Sequence, residues 1–270
     1  MDESRLKART EDAVRHFWTV RKRQQEAQGR KTGTKDAGSR SAVTGGAQFN
    51  GFITLVGELI AEAGVHKPCI FADGRYSTYV PGYYRPTKDW DLLVVANGHL
   101  LACLEFKSQV GSFGNNFNNR TEEAIGSASD FWTAYREGAF APSPRPWLGY
   151  FMLLEDAKGS TSPVAVQEPH FPVFPEFKEA SYARRYEILC AKLVRERLYD
   201  GACLIMSRKS TGLGGEYREP NTEVGVLRFS RSIVAHMGAH APQVNEQPGP
   251  AAEACGDGQL RTDGNANDEG

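Results

Sequence analysis

The chain has 270 residues, 40% hydrophobic and 24% charged, with 28 Gly and 14 Pro. That suits one large domain or two small ones, is too apolar for a wholly disordered chain, and lacks the run of roughly 18 apolar residues that spans a bilayer. The net charge of −1 hides an uneven spread: residues 241–270 hold six acids and one base, while 21–40 hold seven bases and two acids.

In chain order, MDESRLKART has no apolar stretch behind its charges, so no secretory signal is read there. Residues 5–28 have the composition of a helix, and 29–48 read as a basic, flexible linker ending in a Gly-rich stretch. A run of bases such as Arg21, Lys22 and Arg23 often meets phosphate, though it serves equally as a solvated linker. A compact domain is expected over 49–240. Its first helix, 49–63, aligns Phe52, Leu55, Val56, Leu59 and Ile60 on one face, with Gly64 able to cap it.

A short strand at 69–72 precedes two stronger ones, Asp91–Ala96 and Leu100–Lys107, joined by the hairpin dipeptide Asn97-Gly98. Residues 121–136 predict a second helix, Trp147–Leu154 a buried strand, and Ser181 caps a third helix ending near Asp200-Gly201. Ala202–Ser207 and Glu223–Phe229 are further strand candidates. The order predicts an α/β (α+β) fold, a mixed central sheet flanked by helices. The last segment, 241–270, has few large apolar residues and reads as an acidic, disordered tail. Five Cys with no C-x-x-C argue against a Cys-based zinc site and for a reduced, cytoplasmic protein.

The chemistry gathers in KDWDLLVV, residues 88–95, and LACLEFKS, residues 101–108. Side chains alternate along a strand, so Glu105 and Lys107 share a face. A tight turn at 97–98 sets Asp91 opposite residue 104, beside Glu105. Two carboxylates crowded together repel unless a cation lies between them, and Mg²⁺ takes oxygen ligands of this kind. Such a metal polarises a phosphoryl oxygen and acidifies a bound water, and a neighbouring lysine offsets developing negative charge. A surface salt-bridge trio is the plain alternative. Asp89 rivals Asp91, and the alternation favours Asp91 without deciding it.

An Asp before one strand and Glu-x-Lys on the next resembles the PD-(D/E)xK nucleases, except that Trp90 stands where a Pro is expected. With the stretch VGSFGNNFNNR at 110–120, the chain over roughly 10–240 is similar to the XhoI-type type II restriction endonucleases. The resemblance implies an enzyme that cuts double-stranded DNA at the palindrome CTCGAG after the first C, leaving 5′ overhangs, with Mg²⁺. It implies a homodimer and a cognate DNA methyltransferase as functional partner. It makes Asp91, Glu105 and Lys107 catalytic, with Asp91 and Glu105 as metal ligands. Glu58 is a possible additional acid, as is Glu62 one turn on, although either is as readily an exposed helix residue.

For base reading, Asn and Gln suit adenine while Arg and Lys suit guanine. Gln109, Asn115, Asn116, Asn118, Asn119 and Arg120 cluster in what reads as one loop, and Arg208 and Lys209 lie in a second. The Gly212–Gly215 stretch lacks the ending of a nucleotide-phosphate loop, and His236 with His240 lack the acid of a helical zinc site. Two rival readings remain: a repair or structure-specific nuclease on the same core, and a DNA-binding protein without turnover.

Overall fold

A computed structural model describes residues 1–32, 46–66, 68–72, 78–246 and 260–261. The chain begins with helix α1 (Glu3–Thr32) and, after a 3-10 turn at Gly46–Phe49, continues as α2 (Asn50–Glu62). Strand β1 (Cys69–Phe71) precedes a small antiparallel ribbon, β2 (Tyr79–Pro81) with β3 (Thr87–Asp89). The long hairpin β4 (Leu92–Ala96) and β5 (His99–Gln109) follows. Then come α3 (Phe113–Arg136), β6 (Trp147–Glu155), α4 (Tyr182–Arg195), β7 (Gly201–Ser207) and α5 (Val226–Glu246). The two-residue strand β8 (Leu260–Arg261) runs parallel to β1.

The main sheet has the order β7-β6-β5-β4-β1-β8. Strands β5, β6 and β7 are parallel, and β4 is antiparallel to both neighbours. The expected mixed sheet flanked by helices is therefore present. It separates two apolar cores. One gathers Phe17 and Trp18 of α1, Phe52 and Leu59 of α2, and Phe229 and Ile233 of α5. The other gathers Phe131 of α3 with Tyr186 and Leu189 of α4. Helices α1 and α2 approach so closely that a Cβ on Gly51 would lie 2.8 Å from the Ala13 Cα.

The hairpin turns at Asn97 (φ 48°) and Gly98 (φ 78°), both left-handed as a two-residue I′ turn requires. Its register departs from the expectation. Ala96 pairs with His99 and Val95 with Leu100, but Val94 pairs with Ala102 and Leu92 with Leu104. Leu101 is the extra residue of a β-bulge. Directly paired residues share a face, so a bulge-free hairpin would align Asp91 with Leu104, on the face away from Glu105. The shifted register brings Asp91 level with Glu105 on the same face.

Three other expectations are corrected. The segment after Lys107 is not one loop: β5 runs to Gln109, and α3 starts at Phe113 rather than 121. Phe113 and Phe117, one turn apart, pack against Tyr182 (stacked, 6.3 Å) and Tyr186 (edge-on, 5.1 Å), which carries the helix back to its early start. Glu223–Phe229 is not a strand, because Val226, Phe229, Ile233, Met237, Ala241 and Val244 repeat at helical spacing and are all buried in α5. That helix also carries ordered chain past residue 240, where Asn245 accepts from His66 N (2.9 Å) and donates to Gly64 O (3.1 Å). The rest of the expected tail, apart from β8, and residues 33–45 of the expected linker lie outside the described residues. Within the linker and its approach, α1 runs to Thr32 and Gln48 is buried, as is Arg21, which donates to Gln48 Oε1 (3.3 Å). Ser181 caps α4 as expected, accepting from Arg184 N (3.2 Å).

Trp147 lies across Gly149 on its own strand and Gly201 on β7. A methyl at Gly149 would strike the indole and crowd Leu104 (3.1 Å). Gly149→Ala is expected to destabilise the fold by about 1–3 kcal/mol, read as a lower midpoint in thermal or urea unfolding.

Candidate active site

The bulged hairpin delivers three side chains to one place. Asp91 stands immediately before β4, and Glu105 and Lys107 lie in the second half of β5, where side chains two apart share a face. Lys107 Nζ is 2.6 Å from Glu105 Oε1 and 4.0 Å from Asp91 Oδ2. Asp91 Oδ2 also accepts from the Phe106 amide at 2.7 Å, which pins the carboxylate to the neighbouring strand.

A fourth group joins them that the sequence reading did not select. Lys88 Nζ, carried on β3, lies 3.4 Å from Glu105 Oε2. It donates to the Asp89 carbonyl (3.0 Å) and sits 4.5 Å from the centre of the Trp90 ring. Trp90, at the position of the expected Pro, is buried and packs edge-on against Phe131. Asp89 points elsewhere: it is exposed and accepts from Thr78 Oγ1 at 2.5 Å. The geometry thus favours Asp91 over Asp89 as the partner of Glu105.

The charges settle unevenly. Burial pushes the Glu105 carboxyl up, but Lys107 and Lys88 outweigh it and hold the pKa below the usual carboxylate value. Burial also works against the Lys107 charge, and Glu105 with Asp91 outweighs it, leaving the pKa above an ordinary lysine's. The Asp91 side chain is 43% exposed, yet protein crowds its carboxyl and Glu105 repels it, so its pKa is raised.

Oxygen donors of this kind suit a hard divalent cation, which takes one or two carboxylates and fills its remaining positions with water and phosphate. Glu105 Oε2 supports the fit, being a buried oxygen without a hydrogen bond of its own. Asp91 and Glu105, both in contact with Lys107, are the carboxylates that could hold such a cation; among the described residues no group of three or more His, Cys, Asp or Glu is placed to do so.

Comparison with known proteins gives this geometry its context. The chain matches the model of the restriction endonuclease XhoI family over residues 28–219. The chain belongs to the XhoI restriction endonuclease family. It is 50% identical over 217 residues to the type II restriction enzyme BstVI of Geobacillus stearothermophilus, covering 78% of this chain and 96% of that protein. It is 45% identical over 182 residues to the type II restriction enzyme XhoI of Xanthomonas vasicola, covering 67% of this chain and 72% of that one. With AbrI of Azospirillum brasilense it shares 50% over 161 residues, 59% of this chain and 71% of the relative. No solved structure matches significantly. The protein is accordingly a type II restriction endonuclease, a site-specific deoxyribonuclease. No helix among the described residues is long and apolar enough to cross a membrane.

In this XhoI family enzyme the other expected site residues scatter. Glu58 faces α1, where Arg9 contacts both its oxygens (2.8 and 3.0 Å), and Glu62 pairs with Arg5 (3.2 Å). Both acids thus tie α1 to α2. Gln109 is buried and committed to the turn after β5: its amide donates to the Gly111 and Ser112 carbonyls, which removes it from the surface as a base reader. Asn116 likewise donates to Ser112 O (3.1 Å). Asn115, Asn118 and Asn119 are exposed on the first turns of α3. Arg120 pairs with Glu123 (2.7 Å), and its charge reaches Lys107. Arg208 and Lys209 line a groove of about 790 Å³ with Lys22, Gln25, Glu155 and Asp156. Arg208 approaches Asp156 (3.4 Å), and Lys209 donates to Gln25 (3.1 Å).

The raised Asp91 pKa has a consequence for stability. A carboxyl that ionises less readily when folded favours the fold at acid pH, and that advantage is lost as pH rises through its native pKa. Asp91→Asn keeps an acceptor for the Phe106 amide and removes the charge. It is expected to unfold at a higher temperature than wild type at pH 7, with the gap closing toward pH 3, as followed by circular dichroism melts.

Proposed function

We propose that this enzyme cuts double-stranded DNA at CTCGAG after the first C, leaving 5′ overhangs, by Mg²⁺-dependent hydrolysis that yields 5′-phosphate ends. The observation that carries the reading is the placement of Asp91, Glu105 and Lys107 on one face of one hairpin, with the lysine ammonium between the two carboxylates. The recognition sequence rests on kinship with the family.

Asp91 and Glu105 would hold the metal, which supplies charge neutralisation at the phosphoryl group and a more acidic water. Lys107 positions the attacking water and offsets the negative charge that builds on the phosphorane. Its side chain keeps 19% exposure, so it can reach solvent and substrate. The amide of Phe106 keeps Asp91 aimed along the strand. The 3′ oxygen departs and the phosphate stays on the 5′ side.

A palindromic site implies a two-fold homodimer in which each subunit reads one half-site and cuts one strand. Protection of host DNA then calls for a cognate methyltransferase of the same specificity. Asn115, Asn118 and Asn119 are the proposed base readers, with Arg120 behind them. Arg208 and Lys209 are proposed as phosphate contacts.

The test is a digest of mapped plasmid DNA with Mg²⁺ and sequencing of the cut ends. Discrete fragments ending at CTCGAG support the reading. Unspecific degradation or cleavage of branched substrates alone would indicate a repair nuclease, and binding without cutting an inactive DNA-binding protein. Asp91→Ala, Glu105→Ala and Lys107→Ala are each expected to abolish cutting while gel-shift binding persists, whereas Asp89→Ala cuts normally. Affinity for DNA should fall steeply between about 50 and 200 mM salt as phosphate contacts release counterions, measured by fluorescence anisotropy.

A further inference from the structure

The centre holds two acids, Asp91 and Glu105, and two lysines, Lys88 and Lys107, so it is electrically closed before any cation arrives. The lysines are not equivalent. Lys107 extends from β5 between both acids. Lys88 is 12% exposed and committed on three sides, to the Glu105 carboxylate, the Asp89 carbonyl and the face of Trp90. Its ribbon is anchored as well. The turn between β2 and β3 is gripped by the buried Asp130 of α3, which accepts from Tyr83 N and Tyr84 N (2.8 Å each) and from Arg85 Nε (2.7 Å). Lys88 therefore has little room to retreat from Glu105.

Resting on the reading of Asp91 and Glu105 as the metal-holding pair, we infer that Lys88 is a positioning residue: a fixed counter-charge that keeps Glu105 aimed and that competes with the divalent cation for it. Two consequences follow from Coulomb's law at short range. A cation entering the free protein meets a neutral cluster and an ammonium that cannot leave, so it is held weakly. A DNA phosphate brings the missing negative charge, so cation and substrate strengthen each other's binding. Lys88 thereby discourages an idle metal centre in the absence of DNA.

The experiment is calorimetric titration of Mg²⁺ into the DNA-free, full-length protein, beside cleavage rates at saturating Mg²⁺. Lys88→Met is expected to bind Mg²⁺ about tenfold more tightly than wild type, because the competing charge is gone. Its cleavage rate is expected to fall, because Glu105 has lost its anchor. Lys88→Arg keeps the charge and should bind Mg²⁺ as wild type does. Lys88→Gln removes the charge while keeping a donor, and should match the Met variant; it carries the test should the Met variant fail to fold. Mere structural damage would loosen the cation rather than tighten it. The inference is overturned if Lys88→Met and Lys88→Gln bind Mg²⁺ no more tightly than wild type, or if Lys88→Arg tightens binding equally. Those results leave the metal pair standing, provided Asp91→Ala and Glu105→Ala lose Mg²⁺ binding. Wild-type binding by either alanine variant would sink the pair and this inference together.

Discussion

Glu105 is a carboxylate buried in the middle of a sheet, and a buried charge persists only where opposite charge and hydrogen bonds repay its lost hydration. Two ammonium groups do so here, one from its own strand and one from the ribbon beside it. Asp91, more open to solvent, remains crowded and repelled. The pair is thus unequal: one acid is held ionised by resident lysines, the other strained by its company. In the proposed reading a cation would relieve that tension, and stability is given up locally to keep the acids together.

The scaffold around this centre is stiff for the same reason. Every atom that sets the geometry belongs to a paired strand or is tied to one. Trp90 stands where the sequence motif led one to expect a proline, and it serves both as core against Phe131 and as the platform for Lys88. Asp130 holds the ribbon turn from α3, with burial opposing its charge and the bonds from Arg85, Tyr84 and Tyr83 lowering its pKa overall. The two apolar cores hold the sheet between them and fix the plane in which the acids meet.

Much of this was legible in the residues alone. Strand alternation placed Glu105 with Lys107, and Asn97-Gly98 announced the hairpin. Asp91 does meet Lys107 and the Phe106 amide beside Glu105, but its predicted pairing was one residue off, because nothing in the local run around Leu101 marks a bulge. The early start of α3 was obscured by Gly114 and four asparagines, although Phe113 and Phe117 carried the helical spacing. Helix α5 was mistaken for a strand because only its first turn was weighed; the period becomes plain through Ile233 and Met237. Lys88 could not be selected because its reach to Glu105 depends on how a separate ribbon folds back. Glu58 was offered through the resemblance as a possible further acid, with a plain helix residue as the equal alternative, and the packing of α1 supplied Arg9 as its partner. What escaped the sequence was, in each case, set by tertiary contact.

The extra residue in β5 makes the hairpin intolerant of a change in length. Side chains there can be exchanged for others of like size with modest effect, since most only fill core. Removing Leu101, or adding one residue beside it, would send one acid through to the far side of the sheet while the strands could still pair. This stretch can therefore change in spelling but not in count.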